Sequence, residues 1–152
     1  MKKLTIIGVL VVSALGTLFH FMYDWLPIII FPQNESIFEH MKLVIFPFFF
    51  YYFISLPFYK GDSKELFASF FSAIIISMFF IITSFYTYSG FIGKSYDFIN
   101  IILYYIAVGL GFILIYKKIT LVQFSNSVIF AIILLALVIL FSFYPPNLSF
   151  FI

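Results

Sequence analysis

The chain has 152 residues, of which 64% are hydrophobic, 24% are aromatic and 9% are charged, and its mean hydropathy is +1.20. Soluble domains carry about 25% charged residues, and a soluble fold of this size would expose large apolar patches to water, so the composition excludes a soluble domain and a disordered chain. The net charge of +2 comes without a basic patch and cysteine is absent, which excludes nucleic-acid binding and a secreted disulfide scaffold.

Five apolar runs are long enough to cross a membrane as helices, since a spanning helix requires about 20 mostly apolar residues. They cover approximately residues 4–23, 37–59, 66–88, 98–116 and 121–144, with Gly90 and Gly93 among the residues that separate them. Strands are not expected, because the runs are continuous and a membrane barrel requires at least about eight strands. The sequence therefore predicts an all-α polytopic membrane bundle of five transmembrane helices, forming a single domain over residues 1–152.

The distribution of lysine predicts the orientation of this bundle, because cytoplasmic loops of membrane proteins are enriched in basic residues. Six of the eight basic residues fall on the side of the N-terminus: Lys2, Lys3, Lys60, Lys64, Lys117 and Lys118. Lys42 and Lys94 fall near the opposite side. We therefore predict a cytoplasmic N-terminus and a C-terminus outside the cell.

The first 15 residues share features with a signal peptide, since Lys2 and Lys3 precede an apolar run that contains small residues. The apolar run, however, continues to Phe21, beyond the usual length of a signal-peptide core. We therefore expect this segment to be retained as the first spanning helix.

Polar residues inside the spans are informative, because they are costly in the bilayer and face the bundle interior or water. In the first helix Ser13, Thr17, His20 and Asp24 follow one another at steps of four, three and four residues, which places them on one face. Ser13 and Thr17 are expected to bond to carbonyls one turn earlier. For His20 two interpretations stay open: an i,i+4 pair with Asp24, or a histidine in the headgroup layer.

The densest polar cluster opens the second helix and reads Asn34-Glu35-Ser36-Ile37-Phe38-Glu39-His40-Met41-Lys42. Ser36 and Glu39 have the spacing of a capping box, and Glu39 and Lys42 have that of an i,i+3 ion pair. Capping alone does not call for Glu35, Glu39, His40 and Lys42 together before a membrane span. We therefore predict a functional site here, with capping and interfacial anchoring as the alternative.

Further polar residues are predicted to reach the same end of the bundle. Tyr88 ends the third run, and Asp97, Asn100 and Tyr104 form a stripe at i, i+3 and i+7 on the fourth. The alternatives are an aromatic belt for the tyrosines and an N-terminal cap for Asp97. The segment 27–32, bounded by two prolines, is too short to span, and we expect it to lie in the interface over the site.

Other patterns predict packing rather than chemistry. Pro47 is expected to free a backbone carbonyl near residue 43 and to bend the second helix. Small residues recur at four-residue spacing and allow helices to approach closely: Ser69, Ala73 and Ser77 on the third helix, and Ala107 and Gly111 on the fourth.

The cluster at Asn34–Lys42 resembles a motif of an uncharacterised family of small bacterial integral membrane proteins, Asn-Glu-Ser-x-aromatic-Glu-His-x-Lys after a first helix that carries a histidine. The resemblance continues through Phe46-Pro47, through Thr87-Tyr88-Ser89-Gly90 with Gly93, and to Pro145-Pro146. It implies a multi-pass protein of a bacterial plasma membrane in which the polar cluster is a family feature. It implies no activity.

The first functional hypothesis is an intramembrane enzyme, open to the outside, that acts on a lipid or lipid-linked substrate. Its predicted catalytic residues are Glu39, His40, Glu35 and His20, and its predicted substrate-binding residues are Lys42, Asn34, Tyr88 and Asp97. A glutamate would orient or deprotonate a histidine that acts as general base. Alternatively, Zn²⁺ or a similar divalent ion would bind to His20, Asp24, Glu35, Glu39 and His40.

The second hypothesis is a non-enzymatic protein. In one form it binds a small polar ligand or assists transport, as a homo-oligomer or with another membrane protein. In the other it is an immunity-type protein in which the motif only holds the fold. Haem between His20 and His40 is not expected, because neither helix has a gap of small residues beside its histidine.

Overall fold

The computed structural model describes residues 2–151. These residues form five α-helices and no strand: α1 (Lys2–Phe21), α2 (Ile37–Ser55), α3 (Ser63–Ile92), α4 (Asp97–Lys117) and α5 (Phe124–Phe143). A 3₁₀ turn, Leu56–Phe58, continues α2. All five helices are long and apolar enough to cross a membrane, so the predicted all-helical class is confirmed and each predicted span corresponds to one such helix.

Several helix boundaries differ from the predicted ones by two to four residues, and the ends of α1 and α3 have a structural reason. α1 ends at Phe21 instead of residue 23, because the chain turns away and Asp24 adopts a left-handed conformation with φ of 63°. α3 is 30 residues long and continues through Gly90, where nothing else approaches the backbone. It ends at Gly93, whose φ of 81° favours glycine.

The helices α1 to α4 form the core of the bundle, and α5 lies outside it. α1 contacts α2 and α4, α3 contacts α2 and α4, and α5 contacts α3. At the centre the rings of Phe48 and Phe112 stack with centroids 5.2 Å apart, and Phe70 meets both rings edge-on. Large apolar side chains cover the outer surface of α5, among them Phe130, Ile132 and Leu140, as expected for a helix that faces lipid.

Small residues set the distance between α3 and α4, as the four-residue spacing predicts. The hydroxyl of Ser77 donates to the carbonyl of Ala107 over 2.8 Å. A Cβ atom on Gly111 would lie 2.8 Å from that same hydroxyl oxygen and 3.3 Å from the Cβ of Ala73. The two helices therefore approach as closely as their small side chains allow.

α1 is held against its neighbours by glycine contacts that the sequence analysis did not identify. At Gly8 an added Cβ would lie 2.5 Å from the ring of Tyr51, and at Gly16 it would lie 2.8 Å from the carbonyl oxygen of Leu43. Tyrosines complete the contact: Tyr51 donates to the carbonyl of Leu4 over 2.6 Å, and Tyr104 donates to that of Val12 over 2.9 Å. These contacts fix the face of α1 that carries His20.

Candidate functional site

The N-terminus of α2 is capped by side chains of the motif and by the end of the chain. Ser36 is the N-cap, and its hydroxyl accepts from the backbone N–H of Glu39 over 3.3 Å. Asn34 accepts from the N–H of Ser36 over 2.9 Å, and the N–H of Phe38 donates to the carbonyl of Phe150 over 3.1 Å. Free N–H groups of the first turn thus find partners.

Only half of the predicted capping box forms, because the carboxylate of Glu39 binds elsewhere. One of its oxygens accepts from Nζ of Lys42 over 2.7 Å and from the backbone N–H of Gln33 over 2.8 Å. Nζ of Lys42 also donates to the carbonyl of Ile28 over 2.7 Å. The predicted ion pair therefore exists, and it ties the segment between α1 and α2 to the face of α2.

The Glu39–Lys42 pair is closed off from solvent. Glu39 is 4% exposed and Lys42 is 0% exposed, beneath a segment whose Phe31 meets Phe19 edge-on with centroids 5.2 Å apart. The segment 27–32 was predicted to cover the site, and in the structure it covers this pair. Neither side chain lines the histidine cavity described below, so the catalytic role of Glu39 and the substrate-binding role of Lys42 stay predictions.

The two histidines come together where α1 ends and α2 begins. The ring centroids of His20 and His40 are 5.5 Å apart, with 39° between the ring planes. Nδ1 of His40 lies 2.9 Å from the carbonyl oxygen of Ser36, and its Nε2 lies 3.3 Å from a carboxylate oxygen of Glu35. Three of the four predicted catalytic residues, His20, Glu35 and His40, thus form one cluster.

The contacts of His40 indicate which of its two ring nitrogens carries a hydrogen. A carbonyl oxygen can only accept, so Nδ1 carries the hydrogen bonded to Ser36. Nε2 then faces the carboxylate of Glu35, and this contact is attractive when a proton lies between the two atoms. Nδ1 of His20 is buried and has no hydrogen-bond partner among residues 2–151. The cluster therefore combines a contact between a histidine and a carboxylate with a second histidine whose Nδ1 has no partner within residues 2–151.

The histidines open into a cavity of about 640 Å³ between α1, α2, α3 and α4. Its polar lining consists of Thr17, His20, Glu35, His40, Ser95, Asp97, Asn100, Tyr104 and Tyr105. Leu43, Ile81, Phe85 and Ile101 are among its apolar lining residues. The cavity therefore offers polar partners and an apolar wall together, which suits an amphipathic ligand.

The wall opposite the histidines comes from α4 and the end of α3. Asp97 lines the cavity and is the first residue of α4, whose N-cap is Tyr96, so the alternative role of Asp97 as a cap does not hold. The hydroxyl of Tyr88 donates to Oδ1 of Asn100 from behind the wall. Tyr88 and Asn34, both predicted to bind substrate, do not line the cavity.

Tyr105 and Ser95 line the cavity although the sequence analysis did not select them. Tyr105 lies eight residues after Asp97 and one after Tyr104, so it continues the face of α4 that the stripe already marked. Its hydroxyl is 2.9 Å from that of Thr17, and Thr17 also donates to the carbonyl of Ser13, as predicted. The helical period would therefore have identified Tyr105, whereas Ser95 carries no such signal.

The predicted metal ligands do not converge. Asp24 lies beyond the end of α1, so its predicted i,i+4 pair with His20 along the helix does not form, and Glu39 is bonded to Lys42. Within residues 2–151 no three His, Asp or Glu side chains are arranged to hold a metal ion, and a zinc site requires at least three protein ligands. The geometry therefore does not support the predicted divalent metal.

Comparison with known proteins identifies the family. A model described as a family of unknown function, DUF6512, matches residues 1–152, and the chain therefore belongs to that family. This agrees with the expected uncharacterised family of membrane proteins, while the family motif and the bacterial origin stay predictions. No curated protein and no solved structure matches the chain.

Proposed function

We propose that this family member is a membrane-embedded acid–base enzyme that acts on a lipid or lipid-linked substrate. The observation that carries the proposal is the pairing of His20 and His40 at the polar side of a cavity of about 640 Å³. His40 is fixed at Nδ1 by Ser36 and faces Glu35 with Nε2. A histidine that is oriented through one nitrogen and has a carboxylate beside the other is suited to general acid–base catalysis.

Each part of the cavity has a role in this proposal. Nε2 of His40 takes a proton from the substrate or from a bound water, the carbonyl of Ser36 orients the ring through Nδ1, and the carboxylate of Glu35 stabilises the imidazolium that forms. His20 lines the cavity beside His40 and contacts the polar group of the substrate with its ring. Asp97 and Asn100 face this group from the opposite wall, while Leu43 and Phe85 contact its hydrocarbon part.

The sequence supports a particular orientation in the membrane and a particular type of membrane. The distribution of lysine supports a cytoplasmic N-terminus, which would open the histidine cavity toward the outer leaflet. The family resemblance supports a bacterial plasma membrane. A lipid substrate would then reach the histidines sideways from the bilayer, between helices whose outer faces are apolar.

The experiment compares lipid turnover by the parent and four variants in nanodiscs made from a bacterial polar lipid extract. Products are detected by liquid chromatography and mass spectrometry. We expect His40→Gln to lose about 100-fold or more of the activity, because general acid–base groups contribute about 10² to 10⁴. His20→Gln and Glu35→Gln should lose less. Asp24→Asn is the matched control, because Asp24 is exposed and lies outside the cavity.

A specific observation favours a second candidate, a protein that binds the lipid without chemistry. The hydroxyls of Thr17 and Tyr104 are bonded to the carbonyls of Ser13 and Val12, so neither is paired with a histidine as a nucleophile. Under this candidate the parent forms no product, yet a lipid co-purifies with it and is lost from His20→Gln and His40→Gln. If these two variants retain every bound lipid and all activity, both candidate functions fail.

A further inference from the structure

A second cavity lies at the opposite end of the bundle from the histidines. Its volume is about 630 Å³, and it forms where the start of α1, the end of α2 and the residue after α4 meet. Three lysines line it, Lys3, Lys60 and Lys118, and none of its lining residues is acidic. At one end of the bundle there is therefore a cavity whose charged lining residues are all cationic.

Only one of these lysines is neutralised by a neighbour. Lys118 donates to the carboxylate of Glu65 over 2.8 Å, and this hydrogen bond raises the pKa of Lys118, so the lysine stays charged. Lys3 and Lys60 are exposed and form no ion pair within residues 2–151. Two positive charges at the cavity are thus available to an anion.

A spare hydrogen-bond donor lies beside these charges. The hydroxyl of Tyr59, a lining residue, is buried beside the ammonium of Lys118, which can only donate to it, and the hydroxyl donates to no acceptor among the described residues. The other lining hydroxyls are occupied, since Tyr51 donates to Leu4 and Ser55 donates to Tyr52. An unpaired buried donor is costly, and an oxygen atom of a bound anion would satisfy it.

The remaining walls are apolar and face outward. Ile7, Ile54 and Phe58 line the cavity and are 53%, 52% and 75% exposed, as side chains that contact acyl chains would be. The cavity thus combines cationic and donor groups with apolar surface at one end of membrane-spanning helices. Basic pockets between such helices bind anionic headgroups.

We infer that this cavity binds the phosphate headgroup of an anionic glycerophospholipid. Lys3 and Lys60 pair with the phosphate, Tyr59 donates to one of its oxygens, and the acyl chains follow Ile7 and Phe58. The site is separate from the histidine cavity and does not depend on the function proposed for it.

The test measures binding of short-chain phosphatidylglycerol and of phosphatidylcholine with equal chains to the detergent-solubilised protein by native mass spectrometry. The parent should prefer phosphatidylglycerol. Lys3→Gln/Lys60→Gln should bind it about 25-fold more weakly, since a lysine near an anionic lipid contributes about fivefold. Tyr59→Phe should also bind it more weakly, because the phosphate loses a donor, and its fold should survive because the hydroxyl donates to no other residue.

The matched control is Lys2→Gln/Lys64→Gln, which removes the same charge from the same end of the bundle at residues that do not line the cavity. It should bind phosphatidylglycerol within about twofold of the parent. Equal losses in both double variants, or equal affinity of the parent for the two lipids, would overturn the inference. Displacement of phosphatidylglycerol by millimolar inorganic phosphate would overturn the assignment to a lipid and indicate a site for free phosphate.

Discussion

At the scale of single residues, the buried pair of Glu39 and Lys42 shows how two charges are held inside a bundle of apolar helices. Taking two charges out of water is costly unless additional hydrogen bonds satisfy them. Here Gln33 donates to the carboxylate and Ile28 accepts from the ammonium. The pair therefore joins the segment after α1 to the first turns of α2.

Removing one partner of this pair is expected to destabilise the protein strongly. Lys42→Met leaves the Glu39 carboxylate buried without its cation and should cost about 3–5 kcal/mol. Glu39→Gln/Lys42→Met, in which no charge is left unpaired, should unfold at a higher temperature than Lys42→Met alone. Thermal unfolding in detergent measures both. If Lys42→Met unfolds at the same temperature as the parent, the pair does not stabilise the fold.

The sequence allowed part of this site to be predicted, and the limit is physical. The spacing of Glu39 and Lys42 indicated their ion pair, and Glu35 with His40 belonged to the same cluster. Spacing alone cannot say which of two glutamates one turn apart turns inward, because that depends on the segment packed over α2. The structure resolves this through the N–H of Gln33, which bonds to Glu39.

At the scale of elements, the fit of α1 against α2 depends on a proline and a glycine on different helices. Pro47 has no N–H, so the carbonyl of Leu43 lacks its helical partner. This carbonyl faces Gly16, where an added Cβ would lie 2.8 Å from its oxygen. The predicted effect of Pro47 on the carbonyl near residue 43 thus coincides with a close approach of α1.

Two glycine substitutions should separate packing from helix propensity. Gly16→Ala should destabilise the protein by about 1–3 kcal/mol, as overpacking does, because its methyl group would collide with Leu43 and the hydroxyl of Tyr104. Gly109→Ala should be neutral or stabilise by about 0.5–1 kcal/mol, since nothing lies within 4 Å of its Cβ position. Equal thermal stability of the two variants would contradict the close approach.

Hydropathy predicted the existence of all five helices but not the length of α3. At about 1.5 Å per residue, its 30 residues extend about 45 Å, beyond a hydrocarbon core of about 30 Å. The turns of α3 that exceed the length of this hydrocarbon core include Tyr88, which bonds to Asn100, and Phe85, which lines the cavity. Gly90 suggested that α3 ends earlier. A glycine inside a helix, however, costs only about 1 kcal/mol relative to alanine, and α3 continues through it to Ile92.

At the scale of the whole molecule, the charged residues gather at the two ends of the bundle. The histidine cavity has Glu35 and Asp97, whereas the opposite cavity has three lysines and no acid. Between them the core is apolar and aromatic apart from serines. The two cavities therefore present different charges at the two ends of the bundle.

The orientation of the bundle can be measured with single cysteines, because the chain has none of its own. Asn147→Cys should react with a membrane-impermeant maleimide in intact cells, since basic loops stay cytoplasmic and Asn147 lies at the opposite end. Gln123→Cys, at the start of α5, should react only after lysis. Both positions are exposed, so the reverse pattern would establish the opposite orientation.

The bond between Phe38 and Phe150 bears on the order in which the protein assembles. The N–H of Phe38, in the first turn of α2, pairs with a carbonyl beyond α5, and Asn34 reaches Phe151, 117 positions along the chain. During synthesis, α2 enters the membrane long before these partners exist. The motif can therefore reach its final arrangement only after the fifth helix and the residues that follow it, Phe150 and Phe151, have been made.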